Sequence, residues 1–254
     1  MLLKNNTFVS AIINSRDRES GTQSSFRFKL NKTIRSVNGY QIKNLQIPFS
    51  FYYINSTRNT LIVNFDGSDQ TINIDTGHYS GPTMGVELQT KLNNLPGSGN
   101  FIVNFDIDKL TFSISNNTAF SIRSYDDDNQ STLAESLGFK DSSVFTTNST
   151  NTIGDDHALL TYSYILLKSK FLSRNSLYET LYTNDIYRDT ICYIPILVSP
   201  GGIINISEEK INVFPDTIDI EMNQEIDFSL EDEDGNEVEL NGLDWNAEFC
   251  FIIS

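Results

Sequence analysis

The sequence predicts a mainly β protein, an antiparallel β-sandwich interrupted by a small inserted α+β segment. Three observations carry that expectation. Apolar and polar residues alternate with period two along most of the 254 residues, the pattern of strands that bury one face and wet the other. The two clear helical patterns both fall between residues 81 and 138. The alternation of residues 7–54 is matched by that of 211–254, so the last strands are expected to close the sandwich that the first ones begin.

Taken in order, residues 7–14, 25–31 and 38–54 read as three strands, two alternating and one long and aromatic. Between the first two, Asn14-Ser-Arg-Asp-Arg18 reads as an ordered turn, in which Arg16 and Arg18 hold carboxylates or carbonyls rather than a ligand. Alternating runs then recur at 61–65, 71–75, 101–107, 110–114 and 120–123. Residues 81–95 place Met84, Leu88, Leu92 and Leu95 on one helical face, with Ser80 or Gly81 as cap and Pro82 in the first turn. Glu87 and Lys91 form an i,i+4 pair of the favoured orientation, and Pro96-Gly97 stops the helix. Thr132-Leu-Ala-Glu135 fits a capping box for a second, short helix ended by Gly138. Asp106–Lys109 marks a hairpin turn, and 141–156, almost wholly Ser, Thr, Asn and Asp, reads as a long exposed loop or a seam.

Beyond it, 162–167 and 191–198 are apolar almost throughout and read as central strands covered on both faces. A third helical stretch falls at 176–182. Alternation returns at 203–206, 211–213, 218–222, 226–230 and 249–253, with Asp234-Gly235 tipping an acidic turn of a closing hairpin. The resulting division is 1–55 with 156–254 as the sandwich, and 56–155 as the insertion.

Eighteen basic against 33 acidic residues give a formal charge of −15, which argues against a broad basic face for nucleic acid. Cys192 and Cys250 lie in apolar runs, where buried thiols are the default, and two cysteines alone do not define a disulfide. With no signal-like start and no run of about 18 apolar residues, the expectation is a soluble protein of a reducing compartment with no membrane span. The Asn-x-Ser/Thr triplets, such as Asn55-Ser-Thr57, are what chance supplies in so Asn- and Ser-rich a chain.

Chemistry is hard to place. His78 precedes the first helix beside Ser80, but adjacency is not triad geometry, and turn and cap duty accounts for Ser80 and Gly81. His157 follows Asp155-Asp156 without enough partners for zinc. Asp126-Asp-Asp128 reads as a solvated turn or a weak calcium site, while Glu231–Glu237 has its glycine at the wrong offset for an EF-hand and reads as a solvated tip. Ser199-Pro-Gly-Gly202 lacks the lysine of a phosphate loop. Trp245 reads as a core cap in preference to a sugar platform. The sequence thus nominates no catalytic, cofactor-binding or metal-binding residue.

The residues do carry one resemblance. Asn14-Ser-Arg-Asp-Arg18 with Ser20-Gly-Thr22, then 26–30, then Leu45-Gln-Ile-Pro-Phe-Ser50 with Tyr52 and Tyr53, resembles the opening of jelly-roll capsid proteins of large eukaryotic DNA viruses and virophages. Gly77-His-Tyr-Ser80 leading into a helix, Leu137-Gly-Phe139, and Asp232-Glu-Asp-Gly235 with Trp245 before the final strand continue it in order. The resemblance implies a single jelly roll and a non-enzymatic virion protein of penton (vertex) or minor capsid type. It implies self-assembly, a homopentamer, with major capsid protein and spike or minor capsid proteins as partners and no direct contact with nucleic acid. Synthesis in the host cytoplasm and residence in the capsid follow. Two other classes stay open: a spike or carbohydrate- or receptor-binding β module using Trp245 or the tyrosines at 52, 53, 79 and 125, and a glycoside hydrolase on a sandwich.

Overall fold

The computed structural model describes residues 7–123, 131–139, 149–154, 157–158, 160–174, 185–207 and 211–253. The strands in chain order are β1 (Thr7–Asn14), β2 (Ser20–Gly21), β3 (Ser25–Lys29), β4 (Ile34–Pro48), β5 (Thr60–Phe65), β6 (Ser68–Asn73), β7 (Ile102–Asp106), β8 (Thr111–Ile122), β9 (Ser149–Ile153), β10 (Tyr164–Lys168), β11 (Thr190–Pro195), β12 (Ile203–Ile206), β13 (Ile211–Ile220), β14 (Glu225–Glu231) and β15 (Asn246–Ile253). Among the described residues the α-helices are α1 (Gly81–Asn93) and α2 (Lys170–Arg174). The chain divides into two compact units, 1–51 with 162–254, and 52–161; the sequence pattern places the seams at 55/56 and 155/156.

The first unit is an antiparallel jelly-roll sandwich of two five-stranded sheets. One runs β1-β15-β4-β12, with β13 also pairing β4, and the other runs β11-β10-β14-β3-β2. The chain therefore changes sheets repeatedly: β1 lies in one, β3 in the other, β4 back in the first, and β14 and β15 again on opposite sides. The matched ends do meet, because β15 sits between β1 and β4 while β14 pairs β3. Inward-facing aromatics join the two layers. Phe228 lies 5.4 Å from Phe249, and Phe26 lies 5.5 Å from Trp245. At the edge of this core Phe51 meets Tyr162, ring centroids 5.5 Å apart.

Four strand expectations are corrected. The third strand ends at Pro48; Tyr53 is buried in the second unit, and Phe49 and Phe51 are buried, but as a connection that covers the core. Its polar groups are met without a ladder: the Phe49 N–H donates to the Gly202 carbonyl, and Ser50 Oγ donates to that of Leu240. The runs at 211–213 and 218–222 are one strand, β13, broken in register between Val213 and Ile218, where Pro215 supplies no N–H. The segment 191–198 is not central: β11 is the outer strand of its sheet, Tyr193 is 53% exposed, and Leu197 beyond it is 86% exposed. β14 and β15 form no hairpin, since they belong to different sheets. β10, by contrast, is central, with Ile165, Leu166 and Leu167 fully buried.

The second unit has a sheet of order β6-β5-β8-β7, with β9 also pairing β8. Asp66 and Gly67, both at positive φ (52° and 75°), make the two-residue β5–β6 turn, a type I′ signature. Asp106 Oδ1 accepts the N–H groups of Asp108 and Lys109 to close the β7–β8 hairpin. Helix α1 buries Met84, Leu88 and Leu92, and Ser80 and Thr83 cap it reciprocally. The expected Glu87–Lys91 pair is present at 3.4 Å. The second helix is only a single 3-10 turn, Glu135–Leu137, ended by Gly138 at φ 85°. Its supposed cap is used elsewhere: Thr132 Oγ1 and Ser131 Oγ accept the N–H groups of Thr60 and Ile62 on β5. Within the stretch read as a loop, β9 pairs with β8; Asn, Ser and Thr are compatible with an outer strand once a partner is present. The expected helix at 176–182 lies outside the described residues, as do Asp126–Asp128 and Tyr125.

Candidate assembly surfaces

The corner that carries the resemblance is a dense polar joint. Asn14 caps a 3-10 turn at Ser15–Asp17 by accepting the Arg16 N–H at 2.9 Å. Ser15 Oγ donates to Asp244 Oδ1 at 2.9 Å and accepts the Trp245 N–H at 3.0 Å. Arg16 pairs with Asp244, and Arg18 donates to the Ser15 carbonyl at 2.8 Å and to that of Gly21 at 3.3 Å. Trp245 is fully buried, and its indole N–H donates to the Gln23 carbonyl at 2.9 Å. Thr22 reaches Glu237. Arg16 and Arg18 thus hold a carboxylate and carbonyls, and Trp245 presents no face to a ligand.

The other flagged residues are also engaged in structure. Ser80 is a helix cap. His78 is exposed and lies edge-on to the Tyr52 ring at 5.0 Å, and partial desolvation lowers its pKa. Tyr53 is buried beneath the Arg58 guanidinium, and the Tyr79 hydroxyl donates to the Asp75 carbonyl at 2.8 Å. His157 is exposed. Among the described residues no group of three or more His, Cys, Asp or Glu is placed to hold a metal ion. In the acidic turn Asp234, Asn236 and Glu237 are exposed, as the solvated reading expects, but Asp232 is 1% exposed and accepts the N–H groups of Asp234 and Asn236. Ser199–Gly202 is a turn before β12, closed by the Gly202 N–H on the Ser199 carbonyl. Cys192 and Cys250 are both buried, as their apolar runs predict.

A cleft of about 590 Å³ opens over β2, β3 and β14, lined in part by Arg27, Lys170, Glu225, Asp227 and Glu231. Most of its charges are matched within the protein. Arg27 pairs with Glu225 at 2.9 Å, Lys168 pairs with Glu231, and Asp227 caps α2 by accepting the Lys170 and Phe171 N–H groups. The cleft is a structural ion network with little left to offer a ligand.

Two surfaces went unmarked in the sequence. On the outer side of β10 and β11, Tyr193 stacks on Tyr164 at 4.5 Å, and the Tyr164 and Tyr187 hydroxyls share a 2.9 Å hydrogen bond. Burial, with that bond, pushes the Tyr164 phenol far above its ordinary pKa, so it stays protonated. The other is β1, where Phe8 is 50% and Ile12 73% exposed. Alternation alone marks such residues as one face of a strand, and only the sheet order reveals that the strand is at an edge.

No protein-family model matches the chain, and no curated protein matches it in sequence. Among solved structures the fold is similar to that of the mavirus penton protein, at 13% identity and a TM-score of 0.47, over 98% of this chain and 99% of that one.

Proposed function

We propose that the chain is a virion structural protein, a single jelly-roll capsid subunit of the penton type that assembles into a ring of five and contacts major capsid protein. A jelly roll by itself hosts many functions, so the strand order alone does not carry the proposal. One observation carries it: the first and last of the ordered motifs that resemble jelly-roll capsid proteins fall on the joints of the sandwich. Ser15, Arg16 and Arg18 engage Asp244 and nearby carbonyls, Trp245 fills the core, and Asp232 organises the turn before it. The motifs are used for architecture, as a subunit selected for assembly requires. The chain would reside in the capsid, its acidic surface toward solvent or neighbouring subunits and the genome elsewhere.

The test is the symmetry of the purified oligomer by electron microscopy, with detection of the chain in purified particles. Five-fold rings and presence in particles are expected. Three-fold symmetry with presence in particles would move it to a minor or cementing role. A monomer absent from particles would end the proposal.

A second reading, a glycan- or receptor-binding module, is favoured by the half-exposed Tyr193 ring stacked on Tyr164. It predicts a specific glycan hit that Tyr193→Ala abolishes; an array without specific binders removes it.

A further inference from the structure

The open edges of the sandwich are protected in different ways, with one exception. β2 has two residues and β12 four. β13 is bulged and contains Pro215, and β11 has a register break between Thr190 and Cys192 at one end and Pro195 at the other. Such devices are how sheets avoid pairing with other chains. β1 has none of them. Its eight residues, Thr-Phe-Val-Ser-Ala-Ile-Ile-Asn, contain no charge and no proline, and pair with β15 without a break from Thr7↔Ile253 to Asn14↔Asn246. Among the described residues no strand pairs its outer side.

The sequence of this edge is complementary to itself. Opposite residues of an antiparallel pair share a face, so a second β1 laid antiparallel with Ser10 against Ser10 sets Phe8 against Ile12 twice, and Val9 against Ala11 twice. Phe8 and Ile12 are the exposed pair, so each covers the other. A shift of one residue would set the exposed face of one strand against the buried face of the other, and a shift of two would lose both Phe–Ile pairs. Charge points to the same place. Two copies of a chain with formal charge −15 repel, and β1 itself brings no charged side chain to an approach of about 4.8 Å; the carboxylate of Glu248 on the neighbouring strand, opposite Ile12, is held by the Ser10 hydroxyl at 2.9 Å.

We propose that β1 is a strand-pairing edge for a second copy of this chain, joined antiparallel about a two-fold axis through Ser10. The contact makes one continuous sheet across two sandwiches. It is isologous, the same patch on both copies, and therefore separate from the head-to-tail contacts of any ring. It does not rest on the capsid reading.

The test is cysteine cross-linking of the full chain in a Cys250→Ala background, because Cys250 lies directly opposite Ser10 within the same sheet. Cα atoms of directly opposed residues lie about 4.5–5.5 Å apart, inside the range of a disulfide. Under mild oxidant Ser10→Cys is expected to cross-link with itself. Ile12→Cys alone is expected not to, and mixing it with Phe8→Cys should restore the cross-linked pair. In sedimentation, Ile12→Lys should weaken two-copy association at least tenfold, and Leu197→Lys, at an equally exposed apolar site, should leave it unchanged; thermal melts check that each variant is folded. Cross-linking of Ser10→Cys no faster than that of Leu197→Cys, or equally fast for Ile12→Cys, overturns the proposal. Five-fold rings without a Ser10 cross-link would refute it and leave the capsid reading intact, while a cross-link in a protein absent from particles would do the reverse.

Discussion

In the sandwich, β1 pairs residue for residue with β15, and Ser15 bonds Asp244 across 229 positions of sequence; in the inserted unit, β5 turns straight back into β6 and β7 into β8. The two units therefore gain their order differently. Local pairing closes small loops and forms early, whereas pairing of remote segments must overcome loop entropy before any contact rewards it. The sandwich compensates with fully buried aromatics and a polar joint that ties its first turn to its last. The inserted unit holds fully buried aromatics of its own, Phe101, Phe112 and Phe120, and adds to them tight turns, a reciprocal helix cap and an apolar helix face.

The contrast can be broken most forcefully at Trp245. Trp245→Ala removes a fully buried side chain and its bond to Gln23, and should cost about 3–5 kcal/mol. Hydrogen exchange should quicken across β1, β4 and β15 and stay unchanged in β5–β8. Equal loss of protection in both units would show that they do not order separately.

A pair of glycines sharpens the comparison at a smaller scale. A Cβ on Gly39 would lie 2.2 Å from the Asn212 carbonyl oxygen, backbone that cannot move without shifting β13 against β4. A Cβ on Gly81 would meet the Phe105 ring at 2.2 Å, a side chain able to turn aside. Gly39→Ala should therefore lower stability by about 2–3 kcal/mol and Gly81→Ala by about 1 or less, read from denaturant midpoints. The reverse order would mean that the ladder yields more readily than the helix contact.

Ser80→Ala should cost about 1 kcal/mol through the lost cap, with faster exchange confined to the first turn of α1. The smallest effect belongs to His78. Its folded pKa lies below the ordinary value near 6.5, so the unfolded chain binds more protons over that interval. The contribution is present above pH 6.5 and is lost as pH falls through the folded pKa. Wild type should lose slightly more stability than His78→Gln between pH 7 and pH 5, by a fraction of a proton in the slope; parallel curves would remove the effect.

Much of the architecture was legible because alternation reports one buried face whatever the partner. β1, β3, β5 and β14 fall where their runs lie, and α1 where its four-residue spacing and Ser80 lie. What could not be read was the identity of the neighbour. The apolar run through Phe49 and Phe51 has strand composition, yet the Phe49 N–H goes to Gly202, the Ser50 N–H turns back to Pro48, and both rings are buried. β9 is polar because an outer strand needs no apolar face, and so it reads as a loop. Asp232 reads as solvent-facing because charge implies exposure until several backbone N–H groups converge on it. Of the candidate surfaces, Phe8 and Ile12 were visible as residues but not as an edge, since sheet order is a property of the whole chain.

The ring contact between Phe51 and Tyr162 has a consequence for change over time. The chain leaves the sandwich after the first and re-enters at the second, and the sandwich itself holds those two points together. Whatever lies between them starts and finishes at one spot. Lengthening, shortening or exchanging residues 52–161 thus alters a closed excursion of the chain and leaves the strand registers on either side untouched. The unit can drift, or be swapped for a reporter or a displayed epitope, at a rate of its own.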